Sequence, residues 1–194
     1  LFFALYLLNV RRGDEVITVP NSFIATTAVI VHLGAKPIFV DVGQDQNIDI
    51  NLLEKVITKK TKAIFLAHTL GNPFNLDVIM EIANKHDLWV IEDNCDALGS
   101  QYNNQNTGTF GDLSIFSFFP AHHITMGEGG AVTTNSKKMF DLLRLFRNNG
   151  IERLNTKFKN YKLSRDKNGI IDTWYVDSDT EKKFYLQDGK SAYA

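Results

Sequence analysis

The sequence has little of what marks secreted, membrane-bound or nucleic-acid-binding proteins. Its 194 residues include one cysteine, Cys95, which excludes a disulfide framework and a multi-cysteine metal site within this chain. The formal net charge of -1 gives no electrostatic reason to expect a nucleic-acid partner. The apolar opening, Leu1–Val10, is too short to span a bilayer and lacks the basic region and cleavage site of a signal peptide. We therefore expect a cytoplasmic protein without a membrane segment, a bound metal or a nucleic-acid partner.

Apolar residues make up 44% of the sequence, which is enough for a sizeable core. The opening run resembles the end of a buried helix that Arg11-Arg12-Gly13 stops, so we expect the chain to be a fragment. From Ile151 the composition becomes rich in Lys, Asp and Asn. We predict one domain over 1–150 and a polar tail over 151–194, where residues 173–176 and 183–186 either pair as a hairpin or lie loosely on the surface.

Strands and helices alternate along the first 148 residues. Short apolar runs predict strands at 15–19, 37–42, 62–67, 88–91 and from 113. Between them, capping residues and apolar spacing predict helices at 24–33 (capped by Ser22), after Asp49, at about 76–85, and at 137–148 (capped by Ser136). Strands that are apolar on both faces and alternate with helices indicate an α/β fold. We expect a mostly parallel, doubly wound sheet covered on both sides.

Polar and aromatic residues follow several of these strands. Phe23 follows the first, His68 the third and Asp93 the fourth, and Ser117 to His123 follow the fifth. Ligands of open α/β sheets bind outside the carboxyl ends of the strands. These side chains suit a flat, phosphorylated, cationic heterocycle as a ligand. The aromatic ring would stack on the heterocycle, the carboxylate would pair with its positive charge, and the hydroxyl would hold its phosphate. Taken alone, Gly111–Ala131 is also compatible with a strand, a turn and two surface histidines.

Short motifs in a fixed order carry a family resemblance. They include Gly13-Asp14-Glu15-Val16-Ile17, Pro20-Asn21-Ser22-Phe23, Ile91-Glu92-Asp93, Gly111-Asp112 and Arg147-Asn148-Asn149-Gly150. Together they resemble the DegT/DnrJ/EryC1/StrS sugar aminotransferase family of fold-type-I pyridoxal-phosphate enzymes, over roughly Leu1 to Arg153. The resemblance implies part of the large domain of such a transferase.

The resemblance also implies roles for four residues. Asp93 matches the aspartate that pairs with the pyridine nitrogen of the cofactor, and Phe23 matches the aromatic that stacks on its ring. Ser117 matches a serine that helps to hold the phosphate, and Asp96 lies where family members contact the hydroxyl side of the cofactor. Each of the first three also has a structural alternative: a turn cap for Asp93, core packing for Phe23 and a core hydrogen bond for Ser117.

The departure from the family is at His122. In the aminotransferases the fifth residue after the serine is a lysine that bonds covalently to the cofactor, whereas here no lysine occurs between Lys85 and Lys137. An imidazole cannot form that bond, so pyridoxal or pyridoxamine phosphate would bind non-covalently. The stretch 120–130 is similar to that of the nucleotide-sugar 4-keto-6-deoxyhexose 3-dehydrases. This similarity implies removal of the C3 hydroxyl with His122 as the base and His123 as the fallback.

Three functions remain open at this point. The first is a pyridoxamine-phosphate-dependent sugar 3-dehydrase of deoxysugar and lipopolysaccharide biosynthesis. The second is a related aminotransferase-like protein that has lost the lysine, and the third is a non-catalytic remnant, since the family's phosphate-binding turn is not in this sequence. For an active enzyme the resemblance implies a nucleotide-sugar substrate, a homodimer and a separate reductase. No cysteine follows Arg147–Gly150, so we expect no iron–sulfur cluster in this chain.

Overall fold

The computed structural model of the chain describes residues 1–148, 161–165, 171–176 and 183–185. The chain forms two compact units, Leu1–Leu143 and Arg144–Ala194. Within the described residues, no helix is long and apolar enough to cross a membrane.

A six-stranded sheet forms the centre of the first unit. Its strands, in chain order, are β1 (Glu15–Thr18), β2 (Lys36–Phe39), β3 (Thr61–Ala67), β4 (Trp89–Asp93), β7 (Leu113–Ser117) and β8 (Gly130–Thr133). Two short strands, β5 (Gln101–Tyr102) and β6 (Gln105–Asn106), form a separate hairpin. The order in the sheet is β2-β1-β3-β4-β7-β8, and all pairs are parallel except β7–β8. The prediction of a mostly parallel α/β sheet is confirmed.

Both faces of this sheet are covered, which explains the continuous apolar runs in its strands. Along β3, Ala63 and Phe65 point into one core and Ile64 and Leu66 into the other. The first core also contains residues of α1 (Phe2–Leu7), α2 (Ile24–His32) and α5 (Lys137–Arg147). The second contains residues of α3 (Ile50–Leu53) and α4 (Leu76–His86). Full burial of a Leu, Ile or Phe side chain contributes about 1.5–3 kcal/mol, so these two cores supply most of the stabilisation of the sheet.

The helix starts follow the capping rules in two of the three cases for which a cap was predicted. Asp49 caps α3 by accepting from the Asn51 amide at 2.9 Å, and Ser136 accepts from the Met139 amide at 3.3 Å at the start of α5. The predicted Ser22 cap is wrong, because Phe23 is the N-cap of α2 and makes no side-chain cap bond. The helix after Asp49 is short, since it ends at Leu53 and Glu54–Val56 continue it as a 3₁₀ turn.

The second unit contains a three-stranded antiparallel sheet. Its strands are β9 (Tyr161–Arg165), β10 (Ile171–Val176) and β11 (Lys183–Tyr185), in the order β11-β10-β9. Thr173 lies opposite Tyr185, so the two apolar runs lie on neighbouring antiparallel strands. The turn predicted at 166–169 lies outside the described residues.

Candidate active site

The carboxyl ends of β3, β4 and β7 meet at one edge of the main sheet. Asp93 is the last residue of β4 and lies between Ala67 of β3 and Ile115 of β7 in the ladder. Ser117 is the last residue of β7, and His68 directly follows β3. The sheet therefore brings these side chains to the edge where ligands of parallel sheets bind.

Asp93 is a buried carboxylate at this edge, and its surroundings can be compared with what a cationic ring nitrogen needs. The residue is 8% exposed, and its Oδ1 accepts a hydrogen bond from the Cys95 amide at 3.0 Å. In the described part of the chain, no lysine, arginine or histidine side chain forms an ion pair with Asp93. The amino group of Leu1 interacts electrostatically with Asp93, and a buried carboxylate without a basic side chain beside it is costly unless another cation or hydrogen bonds compensate. The site therefore fits a cofactor with a protonated pyridine nitrogen.

The Cys95 thiol is a neighbour of Asp93 that sequence reasoning did not assign to the site. Burial and the negative charge of Asp93 raise the pKa of this thiol well above its usual range. The thiol therefore stays protonated and uncharged at neutral pH. A single cysteine in an apolar sequence gives no signal that would have placed it beside the carboxylate.

Phe23 and Ser117 lie at the same edge with different exposures. Phe23, at the N-cap of α2 after β1, is 75% exposed, so its ring is open to a stacking partner. Ser117 is half-buried, and its Oγ accepts a hydrogen bond from the Phe119 amide at 3.3 Å. The hydroxyl proton of Ser117 is not used in that bond and can be donated to an anionic oxygen. Their roles in cofactor binding stay predictions.

His122 lies in the loop of residues 118–129 that joins β7 to β8. The Phe118 amide donates to the Gly129 carbonyl at 2.9 Å and closes the base of this loop. The His122 amide donates to the Phe119 carbonyl at 3.0 Å and closes a tight turn at Pro120. Pro120 is suited to this turn because its ring fixes φ near the value that the turn requires. The turn gives the His122 backbone a defined position.

The two adjacent histidines differ in their side-chain partners. His122 Nδ1 lies 2.9 Å from Oδ1 of Asp96, and the His122 side chain is 21% exposed. The His123 residue is exposed, and its ring makes no hydrogen bond with the described residues. This contrast favours His122 over His123 as the oriented imidazole. The pairing of Asp96 with His122 was not predicted from the sequence.

Glu92, next to Asp93, is the centre of a buried polar network. Its carboxylate accepts from His68 Nε2 at 3.0 Å and from three amides, those of Gly108 at 2.7 Å, Phe110 at 2.9 Å and Gly111 at 2.7 Å. Burial of Glu92 raises its pKa, but the hydrogen bonds from His68, Gly111 and Gly108 outweigh burial and hold the pKa below its usual value. Glu92 therefore remains a carboxylate inside the protein.

The network fixes the end of β3 against the end of β4. The His68 ring stacks on Phe74 with centroids 4.3 Å apart, and the His68 amide donates to the Asp93 carbonyl at 3.1 Å. The sequence signals for this network are Glu92 at the end of an otherwise apolar strand and His68 directly after another strand. The two residues are 24 positions apart, so the sequence did not indicate that they pair.

Comparison with known proteins places these observations in a family. A model of the DegT/DnrJ/EryC1/StrS aminotransferase family matches residues 1–170. Lipopolysaccharide biosynthesis protein RfbH of Salmonella typhimurium is 52% identical over 141 residues, which are 72% of this chain and 32% of that protein. The dTDP-4-dehydro-2,6-dideoxy-D-glucose 3-dehydratase of Saccharopolyspora spinosa is 49% identical over 143 residues, 73% of this chain and 31% of that protein.

Solved structures give the same relationship. The aminotransferase from Psychrobacter cryohalolentis superposes with a TM-score of 0.75 at 35% identity, over 80% of this chain and 42% of that one. Structures similar to this chain include both PLP and PMP forms. The chain spans about a third of the length of the two curated relatives named above.

Proposed function

Since the chain belongs to the DegT/DnrJ/EryC1/StrS aminotransferase family, we propose that the whole protein is a pyridoxamine-phosphate-dependent 3-dehydrase of a nucleotide-linked 4-keto-6-deoxyhexose. The observation that carries the proposal is His122, five residues after Ser117, where the resemblance places a lysine in the aminotransferases. The Saccharopolyspora relative, which is named as a sugar 3-dehydratase, supports it.

The residues of this chain suit a pyridoxamine phosphate bound without a covalent link. When bound, the cofactor supplies a primary amine that condenses with a ketone and a ring that accepts electrons. Asp93 would pair with the ring nitrogen, Phe23 would stack on the ring, and Ser117 would donate to the phosphate. Each of these roles requires only the side-chain chemistry that is present at this edge.

His122 would act as the base of the reaction. Its ring would take up the proton that a bound cofactor gives up, while the C3 oxygen of the sugar would leave with the electron pair of its bond to carbon. The protonated His122 can return a proton to that oxygen, so that water leaves and charge is balanced. An imidazole suits both transfers because its unperturbed pKa lies near neutral pH.

The alternative is an aminotransferase-like reaction on a related sugar. The family name and the Psychrobacter aminotransferase favour this class. An imidazole can move a proton, but it cannot release an amino product by taking over the covalent link to the cofactor. The missing lysine therefore makes this alternative weaker than dehydration.

One experiment separates the two reactions. The whole protein is incubated with pyridoxamine phosphate and a nucleotide-linked 4-keto-6-deoxyhexose, and the sugar is analysed by mass spectrometry and NMR. Dehydration predicts loss of the C3 oxygen, and His122→Asn should lower its rate by about 10²–10⁴-fold, as is typical when a general base is removed. His123→Asn is the matched control and should retain the rate. Formation of an amino sugar with C3 oxygen intact would refute the proposal.

We also propose that the whole protein is a homodimer and that a separate reductase consumes its product. Large apolar residues are exposed near the candidate site, at the start of α2 and in the loop after β7: Phe23, Ile24, Phe119, Ile124 and Met126. Apolar residues exposed in a cluster are typical of surfaces that another protein surface covers. Sedimentation of the whole protein as a fully active monomer at micromolar concentration would contradict the dimer.

A further inference from the structure

We propose that Asp96 is a positioning residue that fixes the tautomer of His122, so that Nδ1 carries the proton and Nε2 is the basic nitrogen. The inference rests on the proposed function, and it assigns Asp96 a different role from the cofactor contact that the family resemblance implies. It begins from the 2.9 Å contact between His122 Nδ1 and Asp96 Oδ1.

Asp96 is held by a rigid part of the fold. It lies in a turn after β4 that the Ala97 amide closes by donating to the Asn94 carbonyl at 3.0 Å. Asn94 is buried and donates through its side chain to Ser114 of β7 at 2.6 Å. A carboxylate on such a turn has few backbone positions available to it.

Gly71 packs against the same turn from the other side. A Cβ at Gly71 would lie 2.9 Å from the Asp96 carbonyl oxygen, so the close approach requires glycine. The Gly71 carbonyl in turn accepts from Ser100 Oγ at 2.8 Å. The backbone of Asp96 is therefore confined by contacts that do not involve its side chain.

The contact decides which ring nitrogen carries the proton. An ionised carboxylate accepts hydrogen bonds and cannot donate them, so the ring nitrogen facing Asp96 must be the donor. In a neutral imidazole the other nitrogen then has the free lone pair. His122 Nε2 is therefore the nitrogen that can take a proton from a bound molecule. A carboxylate that orients an imidazole in this way serves the same purpose in hydrolytic triads.

After His122 has taken a second proton at Nε2, its Nδ1–H still faces the Asp96 carboxylate. The Asp96 carboxylate is 50% exposed, so water screens part of its effect on the imidazolium. Charge-assisted hydrogen bonds are still among the stronger ones in proteins. We expect loss of Asp96 to slow the proton transfer by about tenfold to a hundredfold, which is smaller than loss of the base itself.

The test uses the whole protein with ¹⁵N-labelled histidine, first without cofactor. Two-bond ¹H–¹⁵N spectra of His122 identify the tautomer, and we expect Nδ1–H in the wild type. In Asp96→Ala the ring loses its acceptor, and we expect a shift to the Nε2–H form. Asp96→Glu keeps a carboxylate on a longer side chain and should restore part of the Nδ1–H population.

Asp141→Ala is the matched control. Asp141 is a carboxylate of similar exposure, 51%, paired with Lys137 on α5, and its loss should leave the His122 tautomer unchanged. A wild-type His122 in the Nε2–H form, or an unchanged tautomer in Asp96→Ala, would overturn the inference. Neither result depends on catalytic activity.

A second measurement connects the tautomer to the reaction. With pyridoxamine phosphate deuterated at C4′ and the 4-keto sugar present, Asp96→Ala should lose deuterium about tenfold to a hundredfold more slowly, with cofactor affinity within about twofold of wild type. If Asp96→Ala bound the cofactor more weakly but lost deuterium at the wild-type rate at saturating cofactor, Asp96 would be a cofactor contact and not a positioning residue. Absence of deuterium loss in the wild type would refute the proposed function instead, while the spectra would still decide the orientation of His122.

Discussion

Replacing Glu92 by glutamine tests whether the buried carboxylate holds the segment before β7 in place. The substitution keeps the shape of the side chain and exchanges one oxygen for an NH₂ group. In the wild type, Oε1 accepts from the amides of Phe110 and Gly111, and Oε2 accepts from the Gly108 amide and His68. The amide of glutamine has a single oxygen, so it cannot serve all four donors.

The size of the effect follows from these four bonds. If the oxygen stays with Phe110 and Gly111, the Gly108 amide faces an NH₂ group and becomes an unsatisfied donor, at about 1–3 kcal/mol. The two remaining bonds lose their charge assistance, while His68 can change tautomer and accept from the new NH₂ group. We expect the free energy of unfolding to fall by about 2–4 kcal/mol, a large part of the stability of a typical domain.

Two measurements on the whole protein check this value. Equilibrium denaturation in guanidinium chloride gives the loss of stability, and hydrogen exchange locates it, with faster exchange expected at the amides of residues 108–111. The control is Glu54→Gln, which removes an exposed carboxylate that pairs with Lys85 and His86 and should change little. A Glu92→Gln protein as stable as wild type, with unchanged exchange at 108–111, would refute the assigned role of the network.

Four further predictions follow from the same structure. Hydrogen bonds hold the pKa of Glu92 in the folded protein below its usual value of 4.5, so its contribution to stability is complete above that pH and is lost as pH falls through the folded pKa; an acid-unfolding curve below about pH 4.5 that is the same in the wild type and in Glu92→Gln would contradict this. Gly111→Ala should destabilise by about 1–3 kcal/mol in thermal denaturation, because its Cβ would lie 2.8 Å from the Val90 carbonyl oxygen, and an unchanged melting temperature would be inconsistent with that contact. Asp93→Asn should retain the circular dichroism of the wild type and lose most of its turnover, so unchanged turnover would count against the pairing with the ring nitrogen. Borohydride should attach the cofactor to the chain in His122→Lys and not in the wild type, as judged by intact mass, and attachment in the wild type would disprove non-covalent binding.

The main sheet could be predicted because its strands are short apolar runs with helices between them. β3 and β4 are buried on both faces, which makes them visible in a single sequence. The Ser22 cap could not be predicted reliably, because the choice between Ser22 and Phe23 as the N-cap depends on the turn after β1. Helix ends are set by such local geometry and shift by a residue or two without changing the apolar pattern.

The candidate site was only partly predictable for a related reason. Residue order placed Asp93 and Ser117 at strand ends, because parallel strands bring their carboxyl ends to one edge. The partners of Glu92 and His122 come from segments 16 to 26 residues away, and hydrogen bonds between such segments leave no periodic signal in the sequence. Recognition of the pairs of His68 with Glu92 and of His122 with Asp96 required the folded chain.

The position of His122 in a loop outside the sheet has a consequence for the stability of variants at this position. Its side chain is absent from both apolar cores, and its one side-chain hydrogen bond goes to the half-exposed Asp96. Substitutions at such positions usually change stability by less than about 0.5 kcal/mol. Replacing histidine by lysine at this position is therefore expected to leave the free energy of unfolding nearly unchanged. The packing of the scaffold places little constraint on which of the two side chains occupies the position.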